Sequence, residues 1–318
     1  MIVQIIGGSG FFGKSIIDSF ISGNLDIFNI DKIQIISRQA KNLKNTNPEL
    51  THNKIELINL DITKCNELPY ADYIIHAAAN TDPSEYKSHK DLISTNITLG
   101  VSNFIMLLKK SKFKPKILYV SSGAVYGLQS KNEVYIDESR PFTSIDGMNE
   151  TKKIYAHSKR IAENELKLFS KNEYDIVIAR CFAFIGPYLP LKSNFVIGNL
   201  LHNIIYDQII KINAKHSVVR SYMHSDDLVY WLFKIGTENK GFNIYNIGSD
   251  VEYSIHQIGT KIAHIYNLPK KIEKIENNYV DRYVPSIEKA KKKFNLHFNY
   301  NLEQSLAYTI KKLKKLIK

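Results

Sequence analysis

The chain has 318 residues, enough for one large domain, or a large and a small one, around a substantial core. Its 44% hydrophobic and 23% charged residues are those of a folded globular protein. Lys and Arg exceed Asp and Glu by 43 to 31, a formal charge of +12, but the lysines are dispersed, densest at Lys289–Lys293 and Lys311–Lys318, without the interleaved aromatics of a nucleic-acid site.

No apolar run reaches the roughly 18–20 residues of a membrane span. The N-terminus lacks a basic region ahead of an apolar core, so no signal peptide and no membrane partner are expected. Cys65 and Cys181 give neither a disulfide framework nor metal-ligand spacing, so no metal is expected. These features fit a cytoplasmic protein.

From the N-terminus, short β-branched runs alternate with helical stretches. Strands are predicted at Ile2–Ile6, Ile33–Ser37, Ile55–Asn59, Tyr73–Ile75, Lys116–Val120 and Asp175–Ala179, and helices near Phe12–Ser22, Thr95–Lys110 and Tyr155–Ser170. Such βαβ alternation predicts an α/β fold: a Rossmann-type, doubly wound parallel sheet with right-handed crossovers. After about Arg180 the alternation breaks up at Gly186-Pro187 and Leu189-Pro190. The expected division is residues 1–180 as the dinucleotide-binding domain and 181–318 as a smaller, mainly substrate-binding C-terminal lobe, with room for some of its segments to rejoin the sheet. Apolar residues at Leu302, Leu306, Ile310, Leu313 and Ile317 predict a closing amphipathic helix with lysines in water.

Gly7-Gly8-Ser9-Gly10-Phe11-Phe12-Gly13 joins the first strand to the first helix. Gly7 and Gly10 suit a tight turn and close backbone approach to a pyrophosphate, Gly13 suits close helix–strand packing, and the helix N-terminus offers free N–H groups. The end of the second strand meets the adenosine ribose. Ser37-Arg38 stands there instead of an acid, which favours the 2′-phosphate of NADP over NAD unless Arg38 lies along the adenine or in solvent. Asp61-Ile62 is placed to contact the adenine, or Asp61 caps the segment after it.

Tyr-x-x-x-Lys occurs six times, from Tyr86, Tyr155, Tyr188, Tyr230, Tyr266 and Tyr308. Only Tyr155 lies on a helix between a strand ending in serines and another strand of the same sheet. A spacing of four puts Tyr155 and Lys159 on one helical face. A phenol of pKa about 10 is a poor base near neutrality, and the Lys159 ammonium beside it would stabilise the phenolate. Tyr155 would then exchange a proton with a substrate hydroxyl, Lys159 would also hold the nicotinamide ribose, and Ser122 would orient the reacting oxygen.

With these motifs the chain resembles the extended short-chain dehydrogenase/reductase family of nucleotide-sugar epimerases, reductases and dehydratases. The resemblance assigns the glycine loop, with Phe11 and Phe12, to the cofactor, followed by His76-Ala77-Ala78-Ala79 and a structural Asn96. It places Ser121-Ser122-Gly123-Ala124-Val125-Tyr126-Gly127 at the active-site strand end. Arg180 through Pro187 resembles the strand-six motif, in which Ala183 stands where many members have asparagine near the diphosphate. Arg220 in Arg220-Ser221-Tyr222-Met223-His224-Ser225-Asp226-Asp227 is implied to grip the substrate diphosphate, with Arg282 of Arg282-Tyr283-Val284-Pro285 a second candidate, since a guanidinium fork meets phosphate oxygens in pairs. Tyr245-Asn246-Ile247-Gly248-Ser249 matches a later signature, and Ile154 replaces the usual proline before the tyrosine. Gly123-Ala124 replaces the acids that 4,6-dehydratases use at C5 and C6. The implied activity is therefore C4 epimerisation or 4-keto reduction of a nucleoside-diphosphate sugar with NADP or NAD, with a dehydratase or a non-catalytic scaffold as alternatives. The family also implies a homodimer paired through the helices at Thr95–Lys110 and Tyr155–Ser170.

Overall fold

The computed structural model describes residues 1–79, 91–191 and 195–317. Seven strands form one parallel sheet: β1 (Ile2–Ile6), β2 (Lys32–Ser37), β3 (Ile55–Asn59), β4 (Tyr73–His76), β5 (Lys116–Ser122), β6 (Ile176–Cys181) and β11 (Phe242–Ile247). Their order across the sheet is β11-β6-β5-β4-β1-β2-β3. This order reverses direction beside β1, where the glycine loop leaves the sheet, and such a switch point is where dinucleotides bind.

Alternation along the strands supplies a core on each face. Val3, Ile5, Ile33, Ile35, Tyr73 and Leu118 pack under α1 (Phe11–Ile21), α6 (Ser225–Glu238) and α8 (Glu288–Phe294). Ile6, Ile36, Ile74, Ile117 and Tyr119 pack under α3 (Asp91–Lys110) and α4 (Glu150–Phe169). Leu92–Lys110 of α3 has the length and mean hydropathy, 1.3, of a membrane-crossing helix. Its Ile93, Ile97, Val101, Phe104 and Leu108 are buried, so much of this apolarity serves the core.

The rest of the chain adds α2 (Leu43–Thr46) and a second lobe. That lobe contains β7 (Phe184–Ile185), α5 (Val196–His202), β8 (Ile210–Ile212), β9 (Ser217–Ser221), β10 (Met223–His224), β12 (Glu252–Ser254), α7 (Ile255–Ile265), β13 (Lys270–Ile272), β14 (Val280–Tyr283) and α9 (Leu302–Leu316). A three-stranded sheet of order β12-β9-β14 carries the arginines singled out above. Asn301 and Gln304 form a capping box at the start of α9, whose Leu302, Leu306, Ile310 and Leu313 face the lobe's core. Lys312 on α9 pairs with Asp18 on α1, tying the last helix to the first.

Both long helices begin ahead of the sequence reading, α3 at Asp91 rather than near Thr95. Helix α4 begins five positions ahead of Tyr155, where Asn149 Oδ1 accepts from the Lys152 N–H at 2.9 Å. Its polar first turn carries little apolar periodicity to announce it. Past residue 180 one segment returns to the sheet: β11 pairs in parallel with β6, from Phe242 beside Ile176 to Ile247 beside Cys181. This strand lies at the sheet edge and is half-exposed along its first three residues, so its sequence lacks the continuous apolar run of the central strands.

Candidate active site

The loop after β1 is set by Gly7, whose φ of +86° lies in the left-handed region. A Cβ there would stand 2.6 Å from both Cα and N of Ala78. The loop therefore lies directly on the backbone after β4, where the Ala77 N–H donates to Ile6 O at 2.8 Å. Gly10 is the N-cap of α1 and contributes no side-chain cap, so the first N–H groups of the helix remain available to an anion. These features fit the pyrophosphate of a dinucleotide. Phe11 and Phe12 turn their rings toward Phe184 of β7, at 6.3 Å stacked and 5.8 Å edge-on, and so brace the loop against the second lobe.

Arg38 is exposed just beyond β2. Asp61 takes the capping role: its Oδ1 accepts from Thr63 N at 3.0 Å and Thr63 Oγ1 at 2.8 Å. Burial pulls the Asp61 carboxyl up, but these bonds, helped by Arg38 and Lys64, bring it below its ordinary value overall. Ile62 is buried, and its carbonyl accepts from Asn103 of α3 at 2.8 Å. Asn96 is half-buried on the same helix.

Tyr155, Lys159 and Glu163 recur every fourth residue on α4 and form one stripe against the ends of β5 and β6. Glu163 clamps this stripe in place: it accepts from Ser121 Oγ at 2.5 Å and from Arg180 Nη2 at 2.6 Å, with both charged side chains almost fully buried. Arg180 also covers the Tyr126 ring at 4.6 Å. A buried pair of this kind fixes geometry more dependably than it adds stability.

Lys159 is 1% exposed. Its Nζ donates to Tyr119 Oη at 3.0 Å and Val120 O at 2.7 Å and lies 5.8 Å from the centre of the Tyr155 ring. Burial lowers its pKa to about 7. Beside it, His76 is buried and held neutral, its pKa lowered to about 3 chiefly by burial and then by the Lys159 charge.

Ser122 ends β5 and caps the short turn Gly123–Tyr126, its Oγ accepting from Ala124 N at 3.2 Å. The structure thus sets the Tyr155–Lys159 face of α4 against the end of β5, with Lys159 bonded to Val120 two residues ahead of Ser122. Of the other Tyr-x-x-x-Lys pairs, Tyr230 with Lys234 lies on α6, Tyr266 with Lys270 spans the end of α7 and the start of β13, and Tyr308 with Lys312 lies on α9. Tyr86 with Lys90, and Lys192 opposite Tyr188, lie outside the described residues.

The two arginines do not meet. Tyr283 is in register with Arg220 and Arg282 with Val219, so side-chain alternation puts Arg220 and Tyr283 on one face of the small sheet and Arg282 on the other. Arg282 pairs with Glu252. Arg220 donates to Asp281 Oδ2 and to the Asp281 carbonyl, each at 2.6 Å. Ala183 sits between β6 and β7, half-buried, with its carbonyl accepting from Met223 N at 3.1 Å.

Three residues not picked as site residues from the sequence line the centre. Tyr119 anchors Lys159, as its place two residues before Ser121 on the same strand allows. Phe182 and Tyr283 stand over Gly123, where a Cβ would lie 2.6 Å from both Phe182 Cζ and Tyr283 Oη.

Residues 3–248 match the NAD dependent epimerase/dehydratase family. A putative UDP-glucose 4-epimerase of Methanocaldococcus jannaschii is 23% identical over 282 residues, 85% of this chain and 87% of that protein. The dTDP-D-glucose 4,6-dehydratase of Bos taurus is 25% identical over 297 residues, 88% of this chain and 77% of that one. Among solved structures, the UDP-glucose 4-epimerase of Thermotoga maritima with UDP-glucose aligns over 100% of both chains, with a TM-score of 0.79 at 18% identity. The dTDP-glucose 4,6-dehydratase of Bacillus anthracis in complex with NAD aligns over 99% of this chain and 97% of its own, with a TM-score of 0.80 at 19% identity.

Proposed function

The chain belongs to the NAD dependent epimerase/dehydratase family, and from that premise we propose that it acts at C4 of a nucleoside-diphosphate sugar, as an epimerase or a 4-keto reductase. The observation that carries this choice is the space over Gly123. The resemblance puts a dehydratase acid there, but the Phe182 ring and the Tyr283 hydroxyl already fill the room such a side chain needs.

The nicotinamide cofactor supplies the hydride acceptor and donor. Gly7, Gly10 and the open start of α1 would hold its pyrophosphate. Tyr155 takes the proton of the C4 hydroxyl or returns it, Lys159 favours the phenolate form by its charge, and Ser122 donates to the reacting oxygen to fix its direction. Arg220, on the face shared with Tyr283, is the candidate grip for the diphosphate and would share its fork between phosphate and Asp281.

Turnover in deuterium oxide tests the reaction. The expected product of a nucleoside-diphosphate hexose is inverted at C4 without net cofactor use, or, from a 4-keto sugar, reduced with one cofactor consumed. In neither case does deuterium enter C6; deuterium at C6 in a 4-keto-6-deoxy product would establish dehydration instead.

Arg38, exposed beyond β2, supports NADP as the tighter ligand. Arg38→Ala is then expected to weaken NADPH binding about tenfold in a fluorescence titration while leaving NADH unchanged. Equal affinities in the wild type, unmoved by the substitution, remove that preference.

The partner we propose is a second copy. Leu92, Leu99 and Met106, seven residues apart on α3, are exposed, as is Leu168 on α4. Ser102 Oγ donates to Glu165 at 2.8 Å and sets these stripes side by side. In sedimentation the wild type is expected at the mass of two chains and Leu99→Glu at that of one; a wild type with the mass of one chain refutes the pairing.

A further inference from the structure

Tyr283 has no part in the chemistry above, yet β14 delivers its hydroxyl to the catalytic serine from far along the chain. Two distances locate the phenol oxygen. It lies 2.6 Å from the point where Gly123, the residue after Ser122, would carry a Cβ. It lies 3.5 Å from the carbonyl of Cys181, the residue in register with Ser122 on β6. Ser122 lies between these two marks, next to Gly123 in the chain and beside Cys181 in the sheet, and its hydroxyl holds the phenol down against the upward push of burial. The ring is held in place, because it lies against Phe182 at 4.5 Å, tilted by 31°, beside Val125, Tyr126 and Ile136.

A hydroxyl has one hydrogen to give and two lone pairs to receive. One lone pair of Ser122 already accepts the Ala124 N–H at 3.2 Å. If the Tyr283 hydrogen points to the Cys181 carbonyl, Ser122 can rest its own hydrogen on the phenol oxygen. When a sugar oxygen arrives and Ser122 donates to it, the Tyr283 hydrogen can swing to the second lone pair of Ser122. The serine is then paired at both lone pairs and acts only as a donor. Burial pushes the Tyr283 phenol well above its ordinary value, so it keeps this hydrogen and brings no negative charge to the site.

We propose that Tyr283 is a positioning residue, whose hydroxyl turns between the Cys181 carbonyl and Ser122 and so directs the Ser122 hydrogen to the reacting C4 oxygen. This rests on the reading of Ser122 given above. It also gives Gly123 a purpose: any side chain there would push the phenol away.

The test is a double-mutant cycle on the full-length protein, with the nucleoside-diphosphate hexose that the wild type turns over fastest. Tyr283→Phe keeps the ring on Phe182 and is expected to lower kcat about tenfold, with KM within about twofold and Tm within about 2 °C. Ser122→Ala is expected to lower kcat further, and adding Tyr283→Phe to it should change nothing more. Gly123→Ala should reproduce the loss seen in Tyr283→Phe. A Tyr283→Phe enzyme as fast as the wild type overturns the proposal, as do losses that multiply in the double variant or a kcat loss that merely follows the folded fraction. If Ser122→Ala itself is as fast as the wild type, the reading of Ser122 fails and this proposal falls with it; if Ser122→Ala is slow, a failure at Tyr283 leaves that reading intact.

Discussion

Tyr155→Phe should reduce turnover on the order of a thousandfold while leaving cofactor affinity nearly unchanged. The substitution removes one oxygen from a ring that α4 continues to hold through the Glu163, Arg180 and Ser121 clamp, so binding surfaces stay in place. Lys159→Met is expected to be nearly as damaging at neutral pH, but its deficit should shrink as pH rises. The phenolate is the active base in the oxidising direction, and without the neighbouring cation it forms only closer to the ordinary phenol pKa of about 10. A rate profile displaced to higher pH in Lys159→Met would show that the lysine acts through the charge of Tyr155. Undiminished turnover in Tyr155→Phe would remove the tyrosine from the mechanism.

The second large effect is expected in the glycine loop, where two substitutions that look equivalent should part company. Gly7→Ala places a methyl group on the Ala78 backbone in a left-handed conformation. The conformation alone costs about 1–2 kcal/mol, and the collision adds to it. The expected result is a Tm lower by about 5 °C and cofactor binding weakened about a hundredfold, because the N–H groups of α1 lose their alignment. Gly10→Ala meets nothing nearer than the Gly7 carbonyl at 3.6 Å, and its φ of −88° suits any residue. It should fold like the wild type and weaken only the binding of the pyrophosphate. Calorimetry with and without cofactor separates the two cases, and equal Tm values would contradict the packing argument.

Much of this was legible in the sequence where the signal is local. β1, the glycine loop and α1 follow one another without interruption, and their apolar runs and small residues describe the turn by themselves. Tyr155 was legible by order, from the serine strand before it and the β6 strand after it. What escaped depends on register or on contacts distant in sequence. Nothing near Arg220 or Arg282 says that pairing of β14 with β9 will turn them to opposite faces. Tyr283 stands in a segment recognised for its arginine, while its hydroxyl acquires meaning only when β14 reaches Gly123. Likewise, Glu163 reads as one of three acids on a polar helix until Arg180 and Ser121 close on it.

The return of β11 to the sheet also bears on how the chain is made. On the ribosome, β6 emerges long before its outer neighbour, and until residue 247 is synthesised the edge carrying Val177, Ala179 and Cys181 has no partner strand. These residues are fully covered in the finished protein. A nascent chain therefore passes through a stage in which an apolar parallel strand lies open to other chains, the condition that favours aggregation. Cutting the gene after the sixth strand would make that stage permanent. The N-terminal half is thus not a portable module, because its last structural strand is encoded among the residues of the second lobe.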